Sequence, residues 1–222
     1  MKKRELKDVH HEDLDGMILL IERSFEIEFI DNELSRVKTF GELLDAVKNK
    51  ISLKEVDDCT TQQAFYKLRD ALSSVLEVNR DAVLPRTLLT DLLPVQKRRT
   101  KLRDIEKVLG YRLNILELPN YLKVTFIILF LLSLFTITLN WWLAILGAVI
   151  SIIGLLLTSL RGSISVKTVG ELVKKMTREN YMKSRRNVTT FNKSEIERVM
   201  IDLFSEVLEI EKERLTSDAK LQ

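Results

Sequence analysis

VTFIILFLLSLFTITLNWWLAILGAVISIIGLLLTSL, residues Val124–Leu160, runs for 37 positions without a charged side chain, in a chain of 222 residues whose charged fraction is 30%. A spanning helix needs ~20 apolar residues to cross ~30 Å of hydrocarbon, so the run has the length for two crossings joined by a tight turn. Asn140, Trp141 and Trp142 mark that turn, and Tyr121–Leu139 and Trp142–Leu160 read as the two helices. Indole rings suit headgroup depth. A single soluble helix would need a polar stripe, yet only Thr and Ser interrupt the run before Asn140, and their hydroxyls bond back into a helix. The sequence therefore predicts a two-helix transmembrane hairpin with Tyr121, Asn140, Trp141, Trp142 and Leu160 as its membrane landmarks.

Basic residues crowd both flanks of the run. Lys97, Arg98, Arg99, Lys101, Arg103, Lys107, Arg112 and Lys123 precede it, and Arg161, Lys167, Lys174, Lys175, Arg178, Lys183, Arg185 and Arg186 follow. Under the positive-inside rule both flanks, and with them both termini, fall on the cytoplasmic side of a two-pass, inner-membrane-type protein. Met1 to Asp15 is charged and offers no apolar core of a cleavable signal. The single cysteine, Cys59, leaves no intrachain disulfide and suits a reducing compartment. Net charge is only +3, so the basic set Lys97, Arg98, Arg99, Lys101 and Arg103 is read as facing an anionic lipid bilayer rather than nucleic acid.

The soluble flanks repeat one another. Ile21-Glu22-Arg23-Ser24-Phe25-Glu26-Ile27-Glu28-Phe29 aligns with Ile105-Glu106-Lys107-Val108-Leu109-Gly110-Tyr111-Arg112-Leu113. Thr39-Phe40-Gly41-Glu42-Leu43-Leu44 matches Thr168-Val169-Gly170-Glu171-Leu172-Val173, and Val75-Leu76-Glu77-Val78-Asn79-Arg80-Asp81 matches Val207-Leu208-Glu209-Ile210-Glu211-Lys212-Glu213, with the likeness continuing to Leu89 and Leu221. Ala64, Leu68, Leu72, Val75 and Leu76 recur at helical spacing, as do Ile196, Met200, Phe204, Val207 and Leu208. Thr39 with Glu42, and Thr168 with Glu171, each read as a capping box opening a helix. Each copy is thus a helix, a long loop, a second helix, a short connection and a capped helix.

In this order the segments resemble the acyl carrier protein family. Residues Gln62 to Met176 look like a complete copy, interrupted by the hairpin; Glu5 to Ile51 is similar to the family's back half and Lys193 to Leu221 to its front half. The expected fold class is all-α: two acyl-carrier-like helical bundles plus a two-helix transmembrane hairpin inserted in the second. The expected domains are residues 1–57 paired with 192–222, residues 58–178 interrupted by the hairpin at 121–160, and a linker at 179–191. Neither terminal half can bury its apolar face alone. The halves either close within one chain as a permuted domain, the end at Leu221 leading on toward Leu6, or exchange between chains to give a homo-oligomer. Nine residues separate Phe29 from Thr39 and fifty-four separate Leu113 from Thr168, an excess that a surface loop absorbs at small entropic cost.

The resemblance implies a phosphopantetheine arm on a serine at the start of the second helix. Here Asp13 stands in that serine's place within His11-Glu12-Asp13-Leu14-Asp15, and the second copy reads Leu93-Pro94-Val95-Gln96-Lys97-Arg98-Arg99, with Thr100 as the nearest hydroxyl at a shifted position. A carboxylate cannot form that phosphodiester, so no cofactor is expected; 4'-phosphopantetheine on an atypical residue is the alternative. His10-His11-Glu12-Asp13 reads as a solvated helix start, since adjacent histidines diverge on a helix. Cys59 has no histidine partner at a readable spacing. Glu22, Arg23, Glu26 and Glu28 lie on the helix that partners of the family dock on. With no nucleophile triad, glycine-rich phosphate loop or paired carboxylates, the expectation is a non-enzymatic, membrane-anchored module. It would recruit or position protein partners, acyl-chain enzymes or true carriers among them; a working carrier and an end-exchanged structural oligomer are the competing readings.

Overall fold

A computed structural model describes residues 6, 9–30, 32–117, 120–135, 140–161 and 163–221, without the side chains of residues 120, 123 and 157–161. The described chain is mainly helical: α1 (His11–Phe25), α2 (Phe40–Lys50), α3 (Thr60–Leu76), α4 (Leu89–Leu92), α5 (Arg98–Leu109), α6 (Asn120–Phe135), α7 (Trp141–Arg161), α8 (Val169–Glu179), α9 (Tyr181–Ser184) and α10 (Lys193–Leu208). Four two-residue strands join them. β1 (Lys54–Glu55) pairs in parallel with β4 (Thr190–Phe191), and β2 (Leu116–Glu117) pairs antiparallel with β3 (Ser163–Ile164). Two compact units result, Met1–Asp70 with Leu172–Gln222, and Ala71–Glu171, dividing inside α3 and α8.

In the first unit, α1, α2 and α10 turn one apolar face each onto a common core. Met17, Ile21, Phe25, Phe40, Leu43, Val47, Ile196, Met200, Leu203 and Phe204 are all buried there. Phe40 and Phe204 meet edge to face, ring centroids 5.1 Å apart, a geometry that adds about 0.5–1.5 kcal/mol to their burial. The chain's last segment closes this core: Thr39 bridges Lys220, and Leu221 N–H donates to Lys38 O at 2.8 Å. Phe40 N–H then donates to Ala219 O at 2.8 Å and Gly41 N–H to Ser217 O at 2.9 Å.

The second unit repeats those bonds with its own residues. Leu88 bridges Thr168, Leu89 N–H donates to Lys167 O, Val169 N–H to Thr87 O and Gly170 N–H to Pro85 O. Capping is repeated too. Thr39 Oγ1 accepts from Glu42 N–H at 3.2 Å and Thr168 Oγ1 from Glu171 N–H at 3.1 Å, while the glutamates accept from Lys38 N–H and Lys167 N–H. A 3-10 turn follows the front helix in each copy, at Arg80–Ala82 and Lys212–Arg214, after left-handed Glu77 (φ 58°) and Glu209 (φ 56°).

One expectation fails. The transmembrane hairpin is not seen, because among the described residues no helix is long and apolar enough to cross a membrane. The described part of α6, Asn120–Phe135, holds 16 residues, about 24 Å at ~1.5 Å per residue against ~30 Å of hydrocarbon. The end expected at Leu139 and the side chain of Leu160 lie outside the described residues. What the run does form is an antiparallel pair so close that a Cβ on Gly147 would lie 2.7 Å from Ser133 Cβ. A Cβ on Gly154 would lie 2.1 Å from the Phe126 ring. Asn140 Oδ1 accepts from Trp142 N–H at 3.1 Å, and α7 starts at Trp141, whose ring lies 4.2 Å from that of Trp142. Tyr121, Trp141 and Trp142 are exposed.

Candidate functional site

The alignment of Ile21 with Ile105 sets Asp13 in register with Lys97, each at the opening of a helix, α1 or α5. Both are exposed. Neither His10 nor Lys97 caps its helix with a side chain. Around Asp13 the start is acidic, with Glu12 in the same turn, where a helix N-terminus favours negative charge. Around Lys97 it is basic. The two starts therefore carry opposite charge at aligned positions, Asp13 in the first turn of α1 and Lys97 just before α5, and neither aligned residue is a hydroxyl; Thr100, in the first turn of α5, is exposed.

The basic set of α5 divides by role. Arg98 is buried and donates from Nε to Leu93 O at 3.0 Å, while Lys101 reaches back so that its ammonium donates to Val75 O at 2.8 Å. Arg99 and Arg103 remain exposed and line a concavity of about 530 Å³ with Arg112 and Glu106. Long side chains let a cation serve as structural glue while its sequence neighbours face water.

The partner helix α1 divides in the same way. Glu22 Oε1 accepts from Phe29 N–H at 2.7 Å and thereby holds the exit of the helix, a bond that Glu106 repeats with Leu113 N–H at 2.8 Å. Glu26 takes the left-handed C-cap at φ 52° and pairs with Lys183 at 3.2 Å. Arg23 and Glu28 are exposed. Beside them, Asp15, Ile18, Leu19, Phe29, Ile30 and Leu34 line an apolar hollow of about 480 Å³ in which Leu19 and Ile30 are 67% and 73% exposed.

A buried polar cluster escaped the sequence. Arg185, fully buried, donates from Nη1 to Thr60 Oγ1 at 2.6 Å and from Nη2 to Thr190 Oγ1 at 3.2 Å, and it pairs with Asp58. Its guanidinium also lies 5.8 Å from the Tyr181 ring centre. The Tyr181 hydroxyl donates to Asn192 O at 3.2 Å and accepts from Asn192 N–H, and its burial pushes the phenol above its usual pKa. Glu195 accepts from Thr60 N–H at 3.2 Å. The cluster ties the start of α3 to α9, β4 and the start of α10. Thr60 lies 125 positions before Arg185, so no local spacing announces the joining of the two segments.

His10 and His11 are exposed, and among the described residues no three His, Cys, Asp or Glu side chains are grouped to hold a metal ion. Cys59 is free and exposed. No protein-family model matches this chain, and neither a curated protein nor a solved structure does.

Proposed function

We propose that the protein is a non-catalytic, carrier-like interaction module, two acyl-carrier-like bundles in one chain that hold protein partners of acyl-chain chemistry side by side. The carrying observation is the pair of helix starts: Asp13 and Lys97 occupy one register, are exposed and bear opposite charge, and neither has the hydroxyl that an attached arm requires. Duplication of the closing hydrogen bonds supports descent of both bundles from one ancestral unit. Opposite charge at their recognition helices then suits two unlike partners, a basic one at α1 and an acidic one at α5.

Intact-mass measurement after incubation with coenzyme A and a phosphopantetheinyl transferase is expected to leave the chain unchanged. A mass gain of one phosphopantetheine overturns the proposal in favour of a working carrier. On the binding side, the immobilised chain is expected to retain an acyl-chain enzyme or a carrier protein, and to lose it when Glu12, Asp13 and Asp15 are replaced by lysine. Retention that ignores those substitutions counts against α1 as the docking helix.

Closure within one chain belongs to the same proposal. In a Cys59→Ser background, cysteines at the bridged pair Thr39 and Lys220 lie within disulfide reach, because bridged antiparallel residues stand ~4.5–5.5 Å apart. Oxidation is expected to give a monomeric cross-linked product; a covalent dimer establishes end exchange instead.

A further inference from the structure

The α6–α7 pair is apolar on all sides. Val124, Ile128, Leu131, Leu132, Phe135, Leu143, Leu146, Ile150 and Leu156 are between 51% and 80% exposed, and they do not fall on one stripe of either helix. Three described hydroxyls along it bond to the helix backbone: Thr125 donates to Tyr121 O, Ser133 to Phe130 O and Ser151 to Gly147 O. A protein partner covers one face of such a pair. Only an acyl-chain medium covers every side, and exposed apolar surface of this extent marks an interaction site.

The foot of the pair carries the second observation. Helix α6 begins at Asn120, just after β2, and α7 ends at Arg161, just before β3. Residues Ile115 and Leu116, at that ribbon, line the same concavity as Arg99, Arg103 and Arg112. Among the described residues none of these three arginines forms an ion pair. The one carboxylate lining the cavity, Glu106, gives an oxygen to Leu113 N–H. Three guanidiniums around about 530 Å³ match the oxygens of a phosphate, which arginine can bind in bidentate fashion.

We infer that the Arg99–Arg103–Arg112 cavity is the headgroup site for an anionic phospholipid, whose acyl chains lie along the apolar pair that rises beside it. The site requires a seated lipid and not a crossing of the bilayer. It goes beyond the carrier-like reading and stands independently of it, since it rests on the second unit's arginines rather than on either attachment position.

The full chain, purified in detergent and transferred to vesicles, tests it. Flotation is expected to be stronger with vesicles of phosphatidylcholine and phosphatidylglycerol than with phosphatidylcholine alone. Replacing Arg99, Arg103 and Arg112 by glutamine is expected to lower affinity for the anionic vesicles about fivefold per arginine, roughly a hundredfold in all, and to leave binding to phosphatidylcholine unchanged. Circular dichroism verifies that the triple variant is folded; if it is not, the single Arg112→Gln variant carries the test with its fivefold loss. Equal binding to both vesicle types, or an anionic preference untouched by the substitutions, overturns the inference. So does displacement by inorganic phosphate at the same concentration that saturates the chain without vesicles, which assigns the cavity to a free anion. A detergent-free chain that stays out of both vesicle types as a defined dimer assigns the apolar pair to a second copy and also overturns it.

Discussion

The two units close with the same hydrogen bonds but from different sources of chain. In the unit spanning Ala71–Glu171, the segment that bridges Thr168 is Thr87–Leu89, a mid-chain loop held on both sides. In the other unit the equivalent segment is Ala219–Leu221, near the chain's last residue, and it bridges Thr39 far away in sequence. There the bridged residues lie much farther apart along the chain, and the unit that contains them also holds the Arg185 clasp. The comparison teaches that the same closing bonds can be built from chain segments at very different separations, with a buried polar clasp in the unit whose bridged residues lie farther apart.

Breaking the clasp should have the largest effect. Arg185→Ala leaves Thr60, Thr190 and Tyr181 buried without their cationic donor, a loss of about 3–5 kcal/mol by the behaviour of buried networks with one partner removed. Hydrogen exchange should accelerate across α10, in the unit that holds the clasp. If α10 stays protected, the clasp is dispensable and the difference between the units needs another cause.

Next in size are the two glycines that let the closing segment approach. A Cβ at Gly41 would lie 2.7 Å from Ser217 O, and at Gly170 it would lie 3.0 Å from Pro85 O. Alanine at either should cost about 1–3 kcal/mol, as overpacking does, and the closer contact makes Gly41→Ala the worse on distance alone. The nearest atom is a backbone oxygen in both cases, so the cost also depends on how far each closing segment can yield. Denaturation midpoints of the two variants decide which factor governs: a larger loss at Gly170 shows that the give of the closing segment outweighs the 0.3 Å difference in approach.

One position separates the units with opposite sign. Glu26 and Gly110 both end their helices in the left-handed region, at φ 52° and φ 81°. A side chain there costs ~1 kcal/mol that glycine avoids, so Glu26→Gly should stabilise by up to about that amount, less what the Lys183 pair contributes, and Gly110→Ala should destabilise by about as much. Thermal melts of both variants check it, and two shifts of the same sign would show that backbone conformation is not what distinguishes them.

Much of this was legible in sequence and for a local reason. Capping boxes, helical spacing and the Glu22/Glu106 repeat are written within ten residues of one another, so the matches between copies could be read directly. The clasp could not, since Asp58, Thr60, Arg185 and Thr190 meet only after folding. Charge alone also misleads: Arg98 and Lys101 are basic by type yet bond to backbone carbonyls, whereas Arg112, outside the expected basic set, completes the open cavity. In the apolar run the composition could be read directly, but the crossing it predicted is not seen, because no helix among the described residues is long and apolar enough to span a membrane.

The smallest expected differences lie in the caps. Thr39→Ala and Thr168→Ala remove equivalent hydroxyl acceptors, at 3.2 and 3.1 Å, and each should cost about 1 kcal/mol. Acid should refine this comparison. Glu42 accepts from Lys38 N–H, the main cause, and from Thr39 N–H, and these bonds hold its carboxyl below the ordinary glutamate range. A carboxylate whose folded pKa is depressed contributes stability that is complete above the unfolded value and disappears as pH falls through the folded one. Stability of the wild-type chain should therefore decline below about pH 4.5, and Glu42→Gln should flatten that part of the decline while lowering stability at neutral pH. An acid limb identical in wild type and Glu42→Gln would place the titrating groups elsewhere and leave the first unit's cap a matter of geometry rather than charge.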